Sequence, residues 1–455
     1  MCVSRFEIRK EDVLLNGESI PIINKADVLI IGGGTAGVCA ASAAGRDKLP
    51  VMVVEKNSFF GGGISGGGGR PVDGAFPGDR SIGGMMDMLL APLRFAGKES
   101  AVMCYEEEQG TLYYHDHQYY KKLAAEMLWK SGCKMLLNTA VTEALAEDRR
   151  VKAAVVCCNM RKAVILADAF VDCTEDAVFA AALGVPVIQT AQKRVYSYPY
   201  ILQKIDCDKV RAYQEKDPHF VKAAAEAKEN HDITDTGNAF WKFDSGDTLW
   251  QLESDVREGI VYADTIHITP VRPDPLRTGT EAEVLAQVKL IEHIRFFRKY
   301  IPGMENAELL QAAAGVIAEE NDGIEGTRYF TEEMCEQGQQ AEEGIVRFRG
   351  KDGDASCYEL PYQVMVTEQY DNLVVAGKGI SAESPLIKKL GCGGRMAMGQ
   401  CAGVMAARIA KHDSKVSELD GAYLRSRMEE LGCDLDGGKT RFYRPDKSVE
   451  GRKGW

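Results

Sequence analysis

Apolar positions along this chain fall into two patterns: short runs in which every residue is apolar, and longer stretches in which apolar residues recur at helical spacing. Ala26 to Ile31 is a near-continuous apolar run, as expected of a strand buried on both faces of a parallel sheet. A glycine turn follows, then a helix of small residues from Ala36 to Ala44, then a second apolar strand, Val51 to Val54, which ends at Glu55. Strand, turn, helix and strand in this order form a βαβ unit. Ahead of it, residues 1–25 read as an extended lead-in with a hairpin turn at Asn16-Gly17.

Downstream, Phe59 to Gly69 is a glycine-dense loop, followed by a helix around Tyr119 to Ser131 and a strand in CKMLLNTAVTEAL. Two more strands, Val151 to Cys158 and Ala163 to Cys173, complete this part. From about 190 to 345 the character changes, with more Trp, Tyr and His, several prolines and a helix over Glu281 to Tyr300. The α/β pattern returns with a strand at Asn372 to Ala376 and a helix at Arg395 to Lys411. The expected organisation is a lead-in (1–25), a dinucleotide domain in two parts (26–185 and 358–412), an inserted α+β substrate domain (186–357) and a charged tail (413–455).

Composition narrows the function. With 455 residues, 45% hydrophobic and 27% charged, the chain has room for two or three packed units of ordinary globular character. A formal net charge of −12 argues against nucleic acid and against an anionic membrane surface as partners. The 13 cysteines are scattered, with no Cys-x-x-Cys pair and no spacing suited to zinc or iron–sulfur binding, so reduced thiols in the cytoplasm are expected. The N-terminus lacks a secretory signal pattern, and glycines interrupt the apolar stretch from Val28 to Ala44, which argues against a membrane span.

The turn Gly32-Gly33-Gly34-Thr35-Ala36-Gly37 fits G-x-G-x-x-G between a strand and a helix. Gly32 permits the tight turn, Gly34 lets backbone approach a pyrophosphate, and Gly37 lets helix and strand pack closely. The helix N-terminus at Thr35 and Ala36 favours negative charge. Glu55, on the second strand, can accept hydrogen bonds from a ribose. Together these predict a dinucleotide site.

Glu55-Lys56 followed by Gly61-Gly62 resembles the signature of the large FAD-dependent oxidoreductase superfamily. So does VDCTEDAVFAAALG, residues 171–184, which is similar to that superfamily's third flavin motif, with Glu175 where glycine is commoner. The segment 372–411 is similar to its closing strand, loop and helix. With IEGTRYFTEEM (324–334) and YELPYQVM (358–365), the pattern resembles the "xanthan lyase-like" branch of the FAD-dependent oxidoreductases, distantly related to fumarate reductase flavoproteins. The resemblance implies an α/β fold whose FAD-binding, Rossmann-like domain is of the glutathione-reductase type, with an inserted α+β substrate domain. It implies cofactor contacts from the glycine turn, from Glu55 and Lys56, and from Gly61, Gly62 and Gly63. Val141, Thr174, Asp176, Gly377, Ser381, Gly394, Arg395 and Met396 complete the expected set. Many relatives end the closing strand in Gly-Asp, whose Asp holds the ribityl chain. Here Gly377-Lys378-Gly379 stands instead, which moves that role to Ser381 or a backbone amide.

Nothing points to a covalent flavin, because the loop 61–69 carries no His, Cys or Tyr. No second nucleotide motif occurs: Gly391-Cys392-Gly393-Gly394 is not framed by a βαβ unit. The electron donor or acceptor therefore either meets the flavin directly or is a partner, and a homo-oligomer is compatible with the chain. Three residues are candidates for chemistry on a small-molecule substrate. Arg328 either clamps a carboxylate or pairs structurally with Glu319, Glu320 or Asp322. His267, with Arg272 close behind, is either a proton donor or a packed histidine. Arg395 assists flavin binding or catalysis. His115 and His117 alternate as if on one strand face but lack a third metal ligand, so no metal is expected. Tyr196, Tyr198 and Tyr200 form either an aromatic wall or sheet packing. The expected activity is hydride transfer between flavin N5 and a small organic molecule. Reduction of an activated C=C bond and an electron-transfer subunit are the alternatives.

Overall fold

Consecutive apolar residues can be buried together only where both faces of a strand are covered, and Val28, Leu29 and Ile30 have no accessible surface. They close β3 (Glu18–Ile31), which follows β1 (Phe6–Ile8) and β2 (Asp12–Leu15). The computed structural model describes residues 5–68, 70–77, 80–95, 101–106, 110–189, 194–234, 239–241, 253–254, 259–269, 277–319, 321–336, 344–350 and 353–435. Asn16 (φ 50°) and Gly17 (φ 91°) both adopt the left-handed conformation, which suits the tight turn joining β2 to β3. Because β3 runs unbroken from this hairpin into the glycine turn, the boundary expected at Ala26 lies inside a strand.

After β3 come α1 (Thr35–Gly45), β4 (Val51–Val54), α2 (Gly62–Gly66), α3 (His117–Lys130), β5 (Lys134–Leu136), β6 (Ala140–Glu147), β7 (Arg150–Cys158) and β8 (Arg161–Asp172). Much later the chain adds β9 (Leu373–Val375), α4 (Ser384–His412) and α5 (Gly421–Glu430). The parallel sheet runs β5–β4–β3–β8–β9, with Val28 opposite Val51, Ala169 opposite Val28 and Phe170 opposite Leu373. β6 and β7 extend β8 as an antiparallel meander. This is the Rossmann-type α/β arrangement, with its last strand contributed some two hundred residues after its neighbour. The expected strand after Cys133 is two strands, β5 and β6, because Asn138 takes a left-handed φ of 52° between them. The glycine-dense loop also contains a single helical turn, α2.

Helix α1 packs face to face against α4 because both present small residues. A methyl group at Gly399 would lie 2.1 Å from the Ala36 carbonyl oxygen, and one at Gly403 2.1 Å from that of Ala40. Residues beyond 412 depart from the expected tail. Leu424 and Met428 of α5, with Cys433 and Leu435 just after it, lie in the same core as α1 and α4. With Val416 and Leu419 ahead of α5, six apolar side chains spaced along a charged segment are enough to bury one face of it.

Described residues between Tyr196 and Ala318 build a separate hydrophobic core. Tyr196–Ser197 lies between Ile266–Ile268 and Ile317–Ala318, and Tyr200–Gln203 between Ile260–Ala263 and Glu308–Ala312. The helix Thr278–Tyr300 covers them with Phe296 and Phe297. Tyr196, Tyr198 and Tyr200 all belong to this core, and the Tyr200 hydroxyl meets Thr265 Oγ1 at 2.8 Å, so the three are packing. Among the described residues no helix is long and apolar enough to cross a membrane.

Candidate functional site

At the carboxyl ends of β3, β4 and β8, where open α/β sheets bind ligands, lies a cavity of about 450 Å³. Three glycines of the turn show why each position lacks a side chain. Gly32 has φ 95°, and a methyl there would sit 2.7 Å from the Cys173 carbonyl oxygen. At Gly37 it would sit 1.9 Å from the carbonyl oxygen of Gly32. At Gly34, which lines the cavity, it would meet nothing within 4 Å. The protein's own packing demands the first two glycines, whereas the third keeps space free for a ligand. No side chain caps α1, so its first amide groups lack acceptors and favour an anion. The turn and cavity therefore suit the pyrophosphate of a dinucleotide.

Glu55 is buried in the cavity wall and ties its neighbours together. One carboxylate oxygen accepts from the Gly33 amide and the other from the Asn57 amide, each at 2.7 Å. The Gly61 amide donates to the Gly33 carbonyl at 2.8 Å, and Gly62 (φ 55°) lies against Gly34. On the opposite wall, Asp172 is fully buried, and burial raises its pKa. Its carboxylate accepts from the Thr174 amide and hydroxyl and from the Ala180 amide, which fixes the turn 173–177.

Of the expected cofactor residues, Gly32, Gly34, Glu55, Lys56, Gly62, Gly63, Val141, Thr174 and Asp176 line the cavity. Asp176 is also engaged across the rim by Arg194 at 2.9 Å, by Asn321 at 3.0 Å and by the Asp322 amide at 3.1 Å. Thr35, Ala36 and Gly37 open α1, and Gly61 underlies the turn. Gly377, with φ 98°, comes within 3.8 Å of Ala36 by its added methyl. Ser381 is buried, and its hydroxyl has no hydrogen-bond partner among the described residues. Gly394 and Met396 are buried in α4.

A charged cluster adjoins the cavity, where both cores meet. Arg70 forks onto Glu319 with both nitrogen–oxygen distances at 3.2 Å, and the Ser197 hydroxyl donates to Glu319 as well. Burial is the largest influence on Glu319 and would raise its pKa, but the charge of Arg70 and the hydrogen bonds from Ser197 and Arg70 together outweigh it and hold the carboxyl at about 2. Asp73 likewise resists burial, kept below the usual carboxylate range by Arg395 and then Arg70. Its carboxylate accepts from the Cys392 amide at 2.6 Å, and Arg395 Nη2 lies 2.9 Å from Cys392 Sγ. Burial and Asp73 push the Cys392 thiol up to about 11, so it stays protonated at neutral pH. Gly391 (φ 59°) breaks α4 immediately before Cys392, and a methyl at Gly393 would lie 2.5 Å from the Gly74 carbonyl oxygen. The Gly391–Gly394 run thus serves a helix kink across which residues 73–75 pass. His267, buried, pairs with Asp264 at 3.4 Å and lies opposite Ser197 in the sheet.

The sequence pattern did not single out Arg70, Asp73, Glu319 or Lys378 as site residues. Their only local signal is an arginine closing a glycine run, since Arg70 and Glu319 stand 249 positions apart. Arg328, part-buried, is not in the cavity wall. Two acids offered as its partners are engaged elsewhere, Glu319 with Arg70 and Asp322 with Arg194, while Glu320 and Arg272 lie outside the described residues. His115 ends a strand whereas His117 opens α3, so they do not share a strand face. Burial lowers the His115 pKa to about 4, and no group of three metal-ligating side chains occurs among the described residues.

Fold and site define a flavoprotein-type dinucleotide-binding oxidoreductase. The family model for FAD dependent oxidoreductases matches residues 27–428, and the chain belongs to this family of FAD enzymes. A search of curated proteins finds none that matches. Among solved structures the chain is similar to a geranylgeranyl bacteriochlorophyll reductase-like protein from Thermoplasma acidophilum, at 13% identity and TM-score 0.42, covering 90% of this chain and 82% of that one. It is also similar to the flavin-dependent brominase Bmp2, at 12% identity and TM-score 0.45, covering 89% and 83%. A third is p-nitrophenol 4-monooxygenase PnpA from Pseudomonas putida DLL-E4, at 12% identity and TM-score 0.46, covering 90% and 84%.

Proposed function

We propose that this FAD enzyme transfers a hydride between flavin N5 and a small organic substrate held at the junction of the two cores. One observation carries the reading: Arg70, Asp73, Glu319 and Arg395, with the neutral Cys392 thiol among them, form a part-buried charged cluster close to the cavity, whose wall includes Ile317 two residues before Glu319. Buried ion pairs add little net stability compared with apolar packing, so a cluster of this kind beside a cavity is a functional-site candidate. FAD, when bound without a covalent link, supplies a two-electron centre at N5. Glu319 and Ser197 hold the Arg70 guanidinium, and Asp73 fixes the Cys392–Arg395 corner, so that both arginines orient substrate. His267, beside Ser197, moves the proton that accompanies the hydride. Arg328 contributes from outside the cavity wall, through substrate that extends toward it.

Each cluster arginine already faces a carboxylate, Arg70 with Glu319 and Arg395 with Asp73. The free cationic clamp that C=C reduction would use is therefore not what these two offer, and the broader hydride-transfer class is the better reading. The segments 324–334 and 358–365 support a place in the "xanthan lyase-like" branch of the family.

The test is an absorbance spectrum of the purified protein before and after heat denaturation, then anaerobic addition of NADH, NADPH and candidate organic substrates. Flavin bands released by heat and bleached by one of these donors are expected. A protein that never takes up FAD on reconstitution, or whose flavin no two-electron donor reduces, would overturn the proposal.

A further inference from the structure

We infer that Lys378 is the counter-charge to an anionic group of bound FAD. Lys378 lies just beyond β9, after Ala376 and Gly377, and close to the cavity proposed for FAD. Gly377 before it approaches Ala36 of α1 at 3.8 Å, and Gly379 after it packs on Ala177 at 2.9 Å, both measured from an added methyl. Its ammonium donates to the carbonyl oxygen of Ala318 at 2.6 Å, next in sequence to Ile317 of the cavity wall. Lys378 thus lies between the start of α1, the turn 173–177 and the strand Ile317–Ala318.

What singles it out is its pairing. Arg70 has Glu319, and Arg395 has Asp73 and Cys392, but the Lys378 ammonium makes one hydrogen bond, to a neutral carbonyl. Among the described residues no carboxylate forms an ion pair with it, and the acid acting on it most strongly is Glu175, itself in the cavity wall. Burial accordingly pulls its pKa below the ordinary lysine range. A part-buried ammonium with two protons left to donate and no paired anion is costly in the protein alone. It is balanced when a negative group enters the cavity beside it. FAD brings two kinds: the permanent charge of its pyrophosphate, and the charge that the isoalloxazine ring acquires on reduction.

The variant K378Q keeps an N–H donor for Ala318 and removes the charge, while K378M removes both. Apoprotein of each is reconstituted with FAD, and three quantities are measured: the FAD dissociation constant, the two-electron midpoint potential and the melting temperature without FAD. If the pyrophosphate is the partner, both variants bind FAD about tenfold or more weakly, and the potential stays put. If the reduced ring is the partner, oxidised FAD binds as before and the potential falls by about 30 mV for each tenfold loss of affinity for the reduced form. Either result supports the assignment, and K378R restores most of the loss. The assignment is overturned if K378Q and K378M leave affinity and potential unchanged. It is equally overturned if K378Q behaves as wild type while K378M lowers only the melting temperature of the apoprotein, which marks Lys378 as a tie to Ala318. Should K378M fail to fold, K378Q alone decides the question.

Discussion

A methyl group at Gly34 would project into empty cavity, whereas one at Gly37 would strike the Gly32 carbonyl oxygen at 1.9 Å. The two substitutions therefore fail differently. Gly34→Val is expected to fold with a melting temperature near wild type yet lose flavin, with FAD binding weakened on the order of 100-fold. Gly37→Val is expected to destabilise the protein by roughly 3 kcal/mol or more, because backbone cannot yield as a side chain can. Flavin content and thermal unfolding of the two purified variants, measured side by side, separate these outcomes. At the same scale, Arg328→Ala is expected to impair turnover while retaining FAD, since Arg328 lies off the cavity wall. Loss of flavin in that variant would show that its part is structural. The glycine turn was legible residue by residue because a local motif carries its own geometry. Asp73 and Glu319 were not, because an acidic residue in a loop looks the same whether it faces water or a distant arginine.

Helices α1 and α4 touch through backbone at Gly399 and Gly403, so the dinucleotide helix is held by an element more than three hundred residues away. Gly403→Leu should force the two apart. The expected cost is about 3 kcal/mol in chemical denaturation, with FAD affinity falling as the α1 N-terminus shifts. Retained stability would mean that α4 can slide. The sequence announced α4 as a helix from Arg395 onward, while in the folded chain it starts at Ser384 and kinks at Gly391. Pattern missed the earlier half because the Leu390–Gly394 stretch reads as a glycine loop. Gly391 is instead a positive-φ break across which the 73–75 segment passes. The segment after Asp413 conceals its packing for the opposite reason. Its charged residues dominate the composition, yet α5 buries Leu424 and Met428 on one face.

Over the whole molecule, the two cores are joined by ionised groups, and this has a consequence in acid. Glu319 is held at about 2 against an ordinary 4.5, and Asp73 is also depressed. A carboxylate whose folded pKa is lowered contributes stability that is complete above its unfolded value and is lost as pH falls through the folded one. We expect full stability from this cluster above about pH 5, and a progressive loss between the ordinary carboxylate range and about pH 2, on the order of 3 kcal/mol for the Arg70–Glu319 pair. Urea unfolding from pH 6 down to pH 3 measures it. E319Q should be less stable at pH 6 and lose less on acidification, and an unchanged acid limb would show that the pair contributes nothing. Truncation after His412 should likewise lower the melting temperature, because it strips Leu424, Met428, Cys433 and Leu435 from the main core.

From residue order alone one can derive the βαβ unit, the roles of Gly32, Gly34 and Gly37, the acid at Glu55 and the α/β class. Each depends on neighbours close in sequence, so local sterics and periodicity suffice to specify them. Tertiary structure alone decided that β9 completes a sheet begun three hundred and fifty residues earlier, and that Arg70 meets Glu319 while Asp73 meets Cys392 and Arg395. It also decided that, among the described residues, no carboxylate forms an ion pair with Lys378. Those pairings come from folding two cores against each other. A charge has no period and no propensity by which it could name its partner in advance.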